Sequence, residues 1–206
     1  MGNDKGSSPV HQGVHAGLHQ GNRLGMGGSD FLFLTVGCHN QSELDLLPPV
    51  IHRLAGRFPA LHPSVKLIPF KSMANLLEEE RIHVMFGFQQ DDQKKPIGIF
   101  HELARTPLVC VCSTGHPYAG RTCLNVDELK GPMVLGEPHR LPPSVLQSQI
   151  RVSSSCHPSE LFFVDTYESI LALVRAGLGY SLLPFYRLLH SACTTKAVSY
   201  THLRAH

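Results

Sequence analysis

The sequence predicts an α/β fold built as two lobes in succession. Three observations carry that expectation. From residue 31 to residue 184, apolar runs of strand length alternate with stretches of helical period. Polar turns rich in capping residues separate them. Between two such alternating series lies "TPLVCVC", residues 106–112, an apolar run with the make-up of a central strand crossing from one lobe to the other.

The first series opens with "FLFLTVG" (residues 31–37), a buried strand, and the polar turn "CHNQSE". A helix follows with Leu44, Leu47, Ile51, Leu54 and Phe58 on one face, and the Pro48–Pro49 pair suits its first turn. "FPALHP" breaks it. Residues 65–70 read as a second strand, "KSMANLLEEERIH" as a helix capped by Ser72, and "VMFGF" as a third strand. A βαβαβ unit of this kind implies a parallel sheet with right-handed crossovers.

A polar stretch, "QQDDQKKPIG", leads to a strand pair whose second member is "TPLVCVC". A loop and short helix lead to the strand "PMVLG"; Pro138, Pro142 and Pro143 mark a loop before the "SVLQSQI" helix, and "ELFFV" is the next strand. "VDTYESILALVRAGLGYSLLP" (residues 164–184) is the most organised stretch: strand end, polar cap, helix, strand. Ile170, Leu173, Val174 and Leu178 share an apolar face. Asp165 or Thr166 can cap the helix, with Glu168 placed to close a capping box on Asp165. Gly177 and Gly179 suit a left-handed helix end, and Pro184 stops the last strand.

Composition narrows the function classes. The chain has 206 residues, 42% hydrophobic and 17% charged, enough for one large or two small domains with a real core. A formal charge of +2 without a dense Lys/Arg patch gives no field for a phosphate backbone. No apolar run approaches the length of a membrane span, and the start lacks the basic segment of a signal peptide. Six cysteines without a regular framework read as reduced thiols, hence a cytoplasmic protein. Cys110 and Cys112 face one side of a strand and read as small buried thiols. The Cys38–His39 pair lacks the geometry of a nucleophile and base, because sequence neighbours rarely supply it. No nucleophile elbow, phosphate loop or dinucleotide fingerprint is present, so the chain does not read as an enzyme, and no cofactor or metal is expected.

Both ends stand apart. Residues 1–30 are rich in Gly, His and Ser; His11, His15 and His19 recur every fourth position, but Gly13, Gly17, Gly21 and Gly25 oppose the helix a metal face would need. They read as a disordered leader or a mis-called start. "VSYTHLRAH" back-translates to GTC TCT TAT ACA CAT CTC CGA GCC CAC, the adapter of transposase-made sequencing libraries. Residues 197–206 are therefore read as adapter translation and excluded from the fold.

"LTVGCHNQSELDLLPPVIHRLAGRFPAL", "HPYAGR", "VDELKGPMVL" and "VDTYESILALVRAGLGYSLLP" resemble, in order and spacing, the effector-binding domain of LysR-type transcriptional regulators across residues 31–189. The resemblance implies two Rossmann-like lobes joined by a hinge of two crossing strands, a type II periplasmic-binding-protein-like fold, with an effector in the cleft between them. Residues 31–106 would form lobe I and residues 107–196 lobe II. Family members add an N-terminal helix-turn-helix and linker helix, not visible in residues 1–30, so DNA would be contacted only through a domain missing from this chain. The family's return strand should follow Leu189, where residues 197–206 stand, which makes lobe I incomplete and the fold C-terminally truncated. His83 occupies a position where most members have an Asp. A homodimer, or a tetramer for the full-length protein, is implied as well.

These readings place a candidate effector site where turns after parallel strands meet: His39, Asn40 and Gln41 after the first, Lys71 and Ser72 after the second, Phe88 and Gln89 after the third, and Thr166 after "ELFFV". Asp165 is assigned to capping, and Lys71 supplies the only obvious positive charge. Helix starts favour anions, so a small carboxylate or similarly polar metabolite is expected. The alternative is a stand-alone solute-binding protein of a transport system, which requires an export signal.

Overall fold

The computed structural model describes residues 11–18, 31–88, 98–185 and 198–204. Its first half is the expected βαβαβ unit. Strands β2 (Leu32–Cys38), β3 (Leu61–Leu67) and β4 (Val84–Phe88) run parallel, β2 pairing with both neighbours. Helices α1 (Gln41–Leu44) and α2 (Leu47–Arg57) join β2 to β3, with Pro48 and Pro49 in the first turn of α2, where no backbone N–H is needed. Helix α3 (Phe70–Glu78) joins β3 to β4. It starts at Pro69 with no side-chain cap, so Ser72 lies within its first turn and is not the cap that the sequence suggested. Val36, Cys38, Leu47, Phe86 and Phe88 pack on one side of this sheet; Ile68, Met73, Leu77 and Ile82 form a second cluster. His83 ties β2 to β4 twice: ring Nδ1 accepts the Thr35 N–H at 2.9 Å, and the His83 backbone N–H donates to the Thr35 carbonyl.

Strand β5 (Ile99–Ser113) is a single strand of 15 residues where the sequence suggested a pair. Its C-terminal half runs antiparallel to β9 (Ser181–Pro184), and its alternating side chains serve two cores. Leu108, Cys110 and Cys112 face Leu124, Met133, Leu135, Val145 and Leu182. Val109 and Val111 face Val134, Ile170, Val174 and Leu183. Burial on both faces is why "PLVCVC" is continuously apolar. β7 (Met133–Gly136) and β8 (Leu161–Val164) form a short parallel pair, linked towards β9 by a bridge between Met133 and Tyr180. Helix α4 (Pro143–Ser153) is fastened by the buried Gln149, which accepts the Gly136 N–H at 3.1 Å and donates to the Leu182 carbonyl at 3.0 Å. In "HPYAGR", His116 stacks by Tyr118 and Tyr180, and the Tyr118 hydroxyl takes the Lys130 N–H at 2.8 Å, pinning the loop before β7.

Both chain ends contribute strands, against the expectation of disorder at the start and exclusion from the fold at the end. His11–Leu18, read as part of a disordered leader or mis-called start, is strand β1, antiparallel to both β4 and β5. Val198–Arg204, excluded from the fold, is strand β10, antiparallel to β5 and parallel to β6 (Cys123–Asn125). The physical reason is common to both. An open strand edge offers unpaired N–H and C=O groups that any extended segment can satisfy, whatever its side chains. His19 and Gln89 lie outside the described residues.

Helix α5 (Tyr167–Arg175) buries Ile170 and Val174 and ends as "AGLG" suggests. Gly177 has φ +80°, its N–H reaches the Val174 carbonyl, and the Leu178 N–H reaches back to Leu173, the paired bonds of a Schellman end. Leu178 therefore sits past the helix and is exposed, not on the buried face expected of it. Gly179 has a different duty: a Cβ there would lie 2.3 Å from the Pro132 carbonyl oxygen, where the chain threads against β7. Gly177→Ala is expected to cost about 1 kcal/mol, the left-handed penalty alone. Gly179→Ala should cost more, about 2–4 kcal/mol, because backbone must move. Urea denaturation of both variants checks the order, and equal losses would contradict it.

Candidate functional site

Three turns converge on a cleft of about 100 Å³. His39, Asn40 and Gln41 come from the end of β2, Glu137 and Arg140 from the loop after β7, and Asp165, Thr166, Tyr167 and Glu168 from the turn after β8. Leu67, Leu141, Pro142, Ile170, Leu183 and Pro184 supply apolar wall. Two backbone-anchored contacts span it. The Gln41 N–H donates to Glu168 Oε1 at 3.0 Å, and the Lys71 N–H donates to the His139 carbonyl at 3.1 Å.

Beneath the β2 turn lies a small polar knot. Asn40 caps α1, its Oδ1 accepting the Glu43 N–H at 3.0 Å. Glu43 is fully buried; Oε2 accepts the His39 N–H at 2.8 Å, and Oε1 lies 2.6 Å from His39 Nδ1. His39 Nε2 meets Asn40 Nδ2 at 3.1 Å, while the approach of Nδ1 to Glu43 Oε1 is a close contact without hydrogen-bond geometry. Rings of Phe70 and Phe88 close edge-on around it. Burial, reinforced by the negative charge of Glu43, pushes the Cys38 thiol up to about 12. It is no thiolate at neutral pH, and with His39 committed to Glu43 the pair is not a nucleophile and base.

Of the residues expected in the site, His39, Asn40, Gln41 and Thr166 line this cleft. Lys71, Ser72 and Phe88 are not among its lining residues. α3 begins at Phe70, whose ring turns inward against His39 and Phe88; Lys71 and Ser72 are exposed, and Lys71 reaches the other lobe through its backbone N–H. Phe88 is buried under His39, as support for the wall. Thr166, not Asp165, is the cap of α5: its hydroxyl accepts the Ser169 N–H at 3.0 Å. Asp165 takes only the Ser169 hydroxyl at 3.4 Å, and Glu168 closes no capping box because it reaches across to Gln41.

Sequence reasoning missed Arg140, Glu137 and Glu43. The first two lie in "GEPHRLPP", which reads as a proline-marked loop; the rule applied to turns after the other parallel strands also holds after β7. Glu43 gave no signal, since a glutamate at the start of a helix is usually solvated. Among the described residues no group of His, Cys, Asp or Glu could hold a metal ion, and no helix is long and apolar enough to cross a membrane.

Comparison with known proteins decides the family. The model for the LysR substrate binding domain matches residues 33–197. The chain belongs to the LysR substrate-binding domain family. A curated relative, the HTH-type transcriptional regulator TtuA of Agrobacterium vitis, is 28% identical over 159 residues, covering 73% of this chain and 50% of that protein. The chain thus spans about half the length of the curated relative it matches. The regulatory domain of CcmR from Synechocystis PCC6803, solved with 2-PG, superposes with a TM-score of 0.67 at 13% identity over 83% of this chain and 80% of that one. The effector binding domain of BenM, solved with benzoate, gives a TM-score of 0.58 at 22% identity over 83% and 77%. These likenesses establish the two-lobed α/β fold that the sequence led us to expect. The family is one of regulators, not of enzymes.

The substitutions separate support from surface. Glu43→Ala strands a buried histidine ring and the His39 N–H, and is expected to cost about 3–5 kcal/mol. Thr166→Ala removes a cap and should cost about 1 kcal/mol, with Thr166→Ser near wild type. Asp165→Ala should cost less than Thr166→Ala. Denaturant midpoints of the four variants measure this; a Glu43→Ala loss no larger than that of Thr166→Ala would show the knot to be solvated.

Proposed function

We propose that this chain is the ligand-sensing domain of a LysR-type transcriptional regulator, binding a small polar or anionic metabolite in the cleft between β2, β7 and β8. The observation that carries the reading is the cleft itself, where Gln41 and Thr166 stand on opposite walls beside an apolar lining. Effector binding would favour the closed arrangement that the Gln41–Glu168 and Lys71–His139 contacts already sketch. DNA would be contacted by a helix-turn-helix on the same polypeptide, and the protein would work in the cytoplasm. The curated relative is itself a regulator, so the solute-binding-protein reading is not carried forward. Genomic sequence flanking the codons for residues 31–189 tests the domain assignment and the adapter origin of residues 197–206 together.

Pairing of two copies belongs to this reading. Val50 on α2 and Val65 and Leu67 on β3 are exposed on one face of the sheet, an apolar surface from one helix and the edge strand. Light scattering on the genomically completed protein is expected to give a homodimer, and a monomer at micromolar concentration would count against it.

A library of small metabolites screened by thermal shift is expected to yield compounds whose affinity falls about tenfold in Gln41→Ala or Thr166→Ala, the loss of one hydrogen bond. Hits bound equally well by both variants would place the site elsewhere.

A further inference from the structure

Arg140 lines the cleft from the loop between β7 and α4, and its Nε is buried without a hydrogen-bond partner among the described residues. A guanidinium carries five donors, no acceptor and a permanent charge, so a dry unpaired donor on it calls for an acceptor. The carboxylates in the same lining are committed elsewhere. Glu137 faces His139 at 3.2 Å, Glu168 takes the Gln41 N–H, and Asp165 takes the Ser169 hydroxyl. The wall beyond these groups is apolar, contributed by Leu67, Leu141, Ile170 and Leu183 among others. At about 100 Å³ the space is smaller than the roughly 150 Å³ cavity that accepts a benzene ring.

We propose that Arg140 anchors a small monoanion with an apolar body, of the short-chain monocarboxylate class. This rests on the cleft being the effector site, and it goes further by naming the recognising residue and the ligand's charge and shape. The planar fork matches a carboxylate through two parallel N–H···O bonds. The apolar wall takes the body of the ligand. The rim carboxylates of Glu137, Asp165 and Glu168 repel a second negative charge, so dicarboxylates are rejected.

The test uses the full chain with acetate, propanoate and butanoate as probes. Their primary amides, the matching alkylammonium ions and succinate serve as charge controls, read by calorimetry and thermal shift. The monocarboxylates are expected to bind and the controls not to. Arg140→Gln should weaken the acids roughly ten- to a hundredfold, with Arg140→Lys between, because a lysine keeps the charge and loses the fork. The ligand-free melting temperature of Arg140→Gln should not fall, since the buried Nε has no hydrogen-bond partner to lose among the described residues. Acids bound as tightly by Arg140→Gln as by wild type would overturn the anchor. If Gln41→Ala alone then weakened them, the cleft reading would survive; if neither did, both would fall. Preferential binding of the alkylammonium ions, or no response to any of the acids, also overturns the inference. A neutral ligand sensitive to Gln41→Ala would in that case preserve the cleft.

Discussion

The architecture hangs on one backbone ladder. β5 enters as the partner of β1 and leaves as the partner of β9 and β10, so a single extended segment of 15 residues belongs to both lobes. A strand cannot slip by one residue without turning every side chain to the opposite face. Here a slip would exchange Cys110 and Cys112 with Val109 and Val111 between two packed cores. The register of β5 is therefore fixed, and with it the placement of β7 and β8, whose α5 packs against the Val109–Val111 face. The cleft exists because the turn after β2 and the turns after β7 and β8 are held to this common axis.

Within the cleft, polar groups divide into those that shape the wall and those free to meet a ligand. The Asn40–Glu43–His39 knot spends its donors and acceptors internally, so His39 and Asn40 fix the β2 turn more than they present chemistry. Glu43 can remain buried only because the His39 ring and N–H surround its carboxylate. Thr166 accepts the Ser169 N–H at the start of α5 and still has a hydroxyl hydrogen to give. Outward stand Gln41 on one wall and Thr166 and the guanidinium of Arg140 on the other, set against apolar side chains. Rigid polar supports behind a small number of convergent groups are what a specific small-molecule site requires.

Most of this fold could be read from residue patterns. The alternation of apolar runs with helical periods located β2, α2, β4, α5 and β9, and the Gly177 end of α5 followed from "AGLG". Where the reading failed, the deciding interaction was non-local. β1 and β10 exist because open edges of β4, β5 and β6 accept them, which no property of the two segments announces. Ser72 and Phe88 were assigned from the turn rule alone, but at the start of α3 it is Phe70 that turns inward, with Phe88 buried against it and Ser72 exposed outside the lining. Arg140 was missed because prolines mark its loop as a connection, and nothing in "PHRLPP" shows that the loop folds back over the turn after β8.

The contacts that bridge the cleft bear on how it would respond to a ligand. Gln41, Glu168, Lys71 and His139 are all exposed, so the two hydrogen bonds between them compete with water. Exposed bonds of this kind contribute about 0–1 kcal/mol each, too little to hold the lobes in one arrangement. Most packing lies inside each lobe, and Tyr167 of α5 adds an apolar contact between them, packing against both the Val36–Phe88 cluster and the Val109–Val111 cluster. A ligand reaching both walls would bias opening and closing by its differential affinity for the two states. Gln41 and Arg140 stand on those opposite walls. A molecule held by both would convert binding into closure, and closure is the form in which a sensing domain can pass a signal to the rest of its polypeptide.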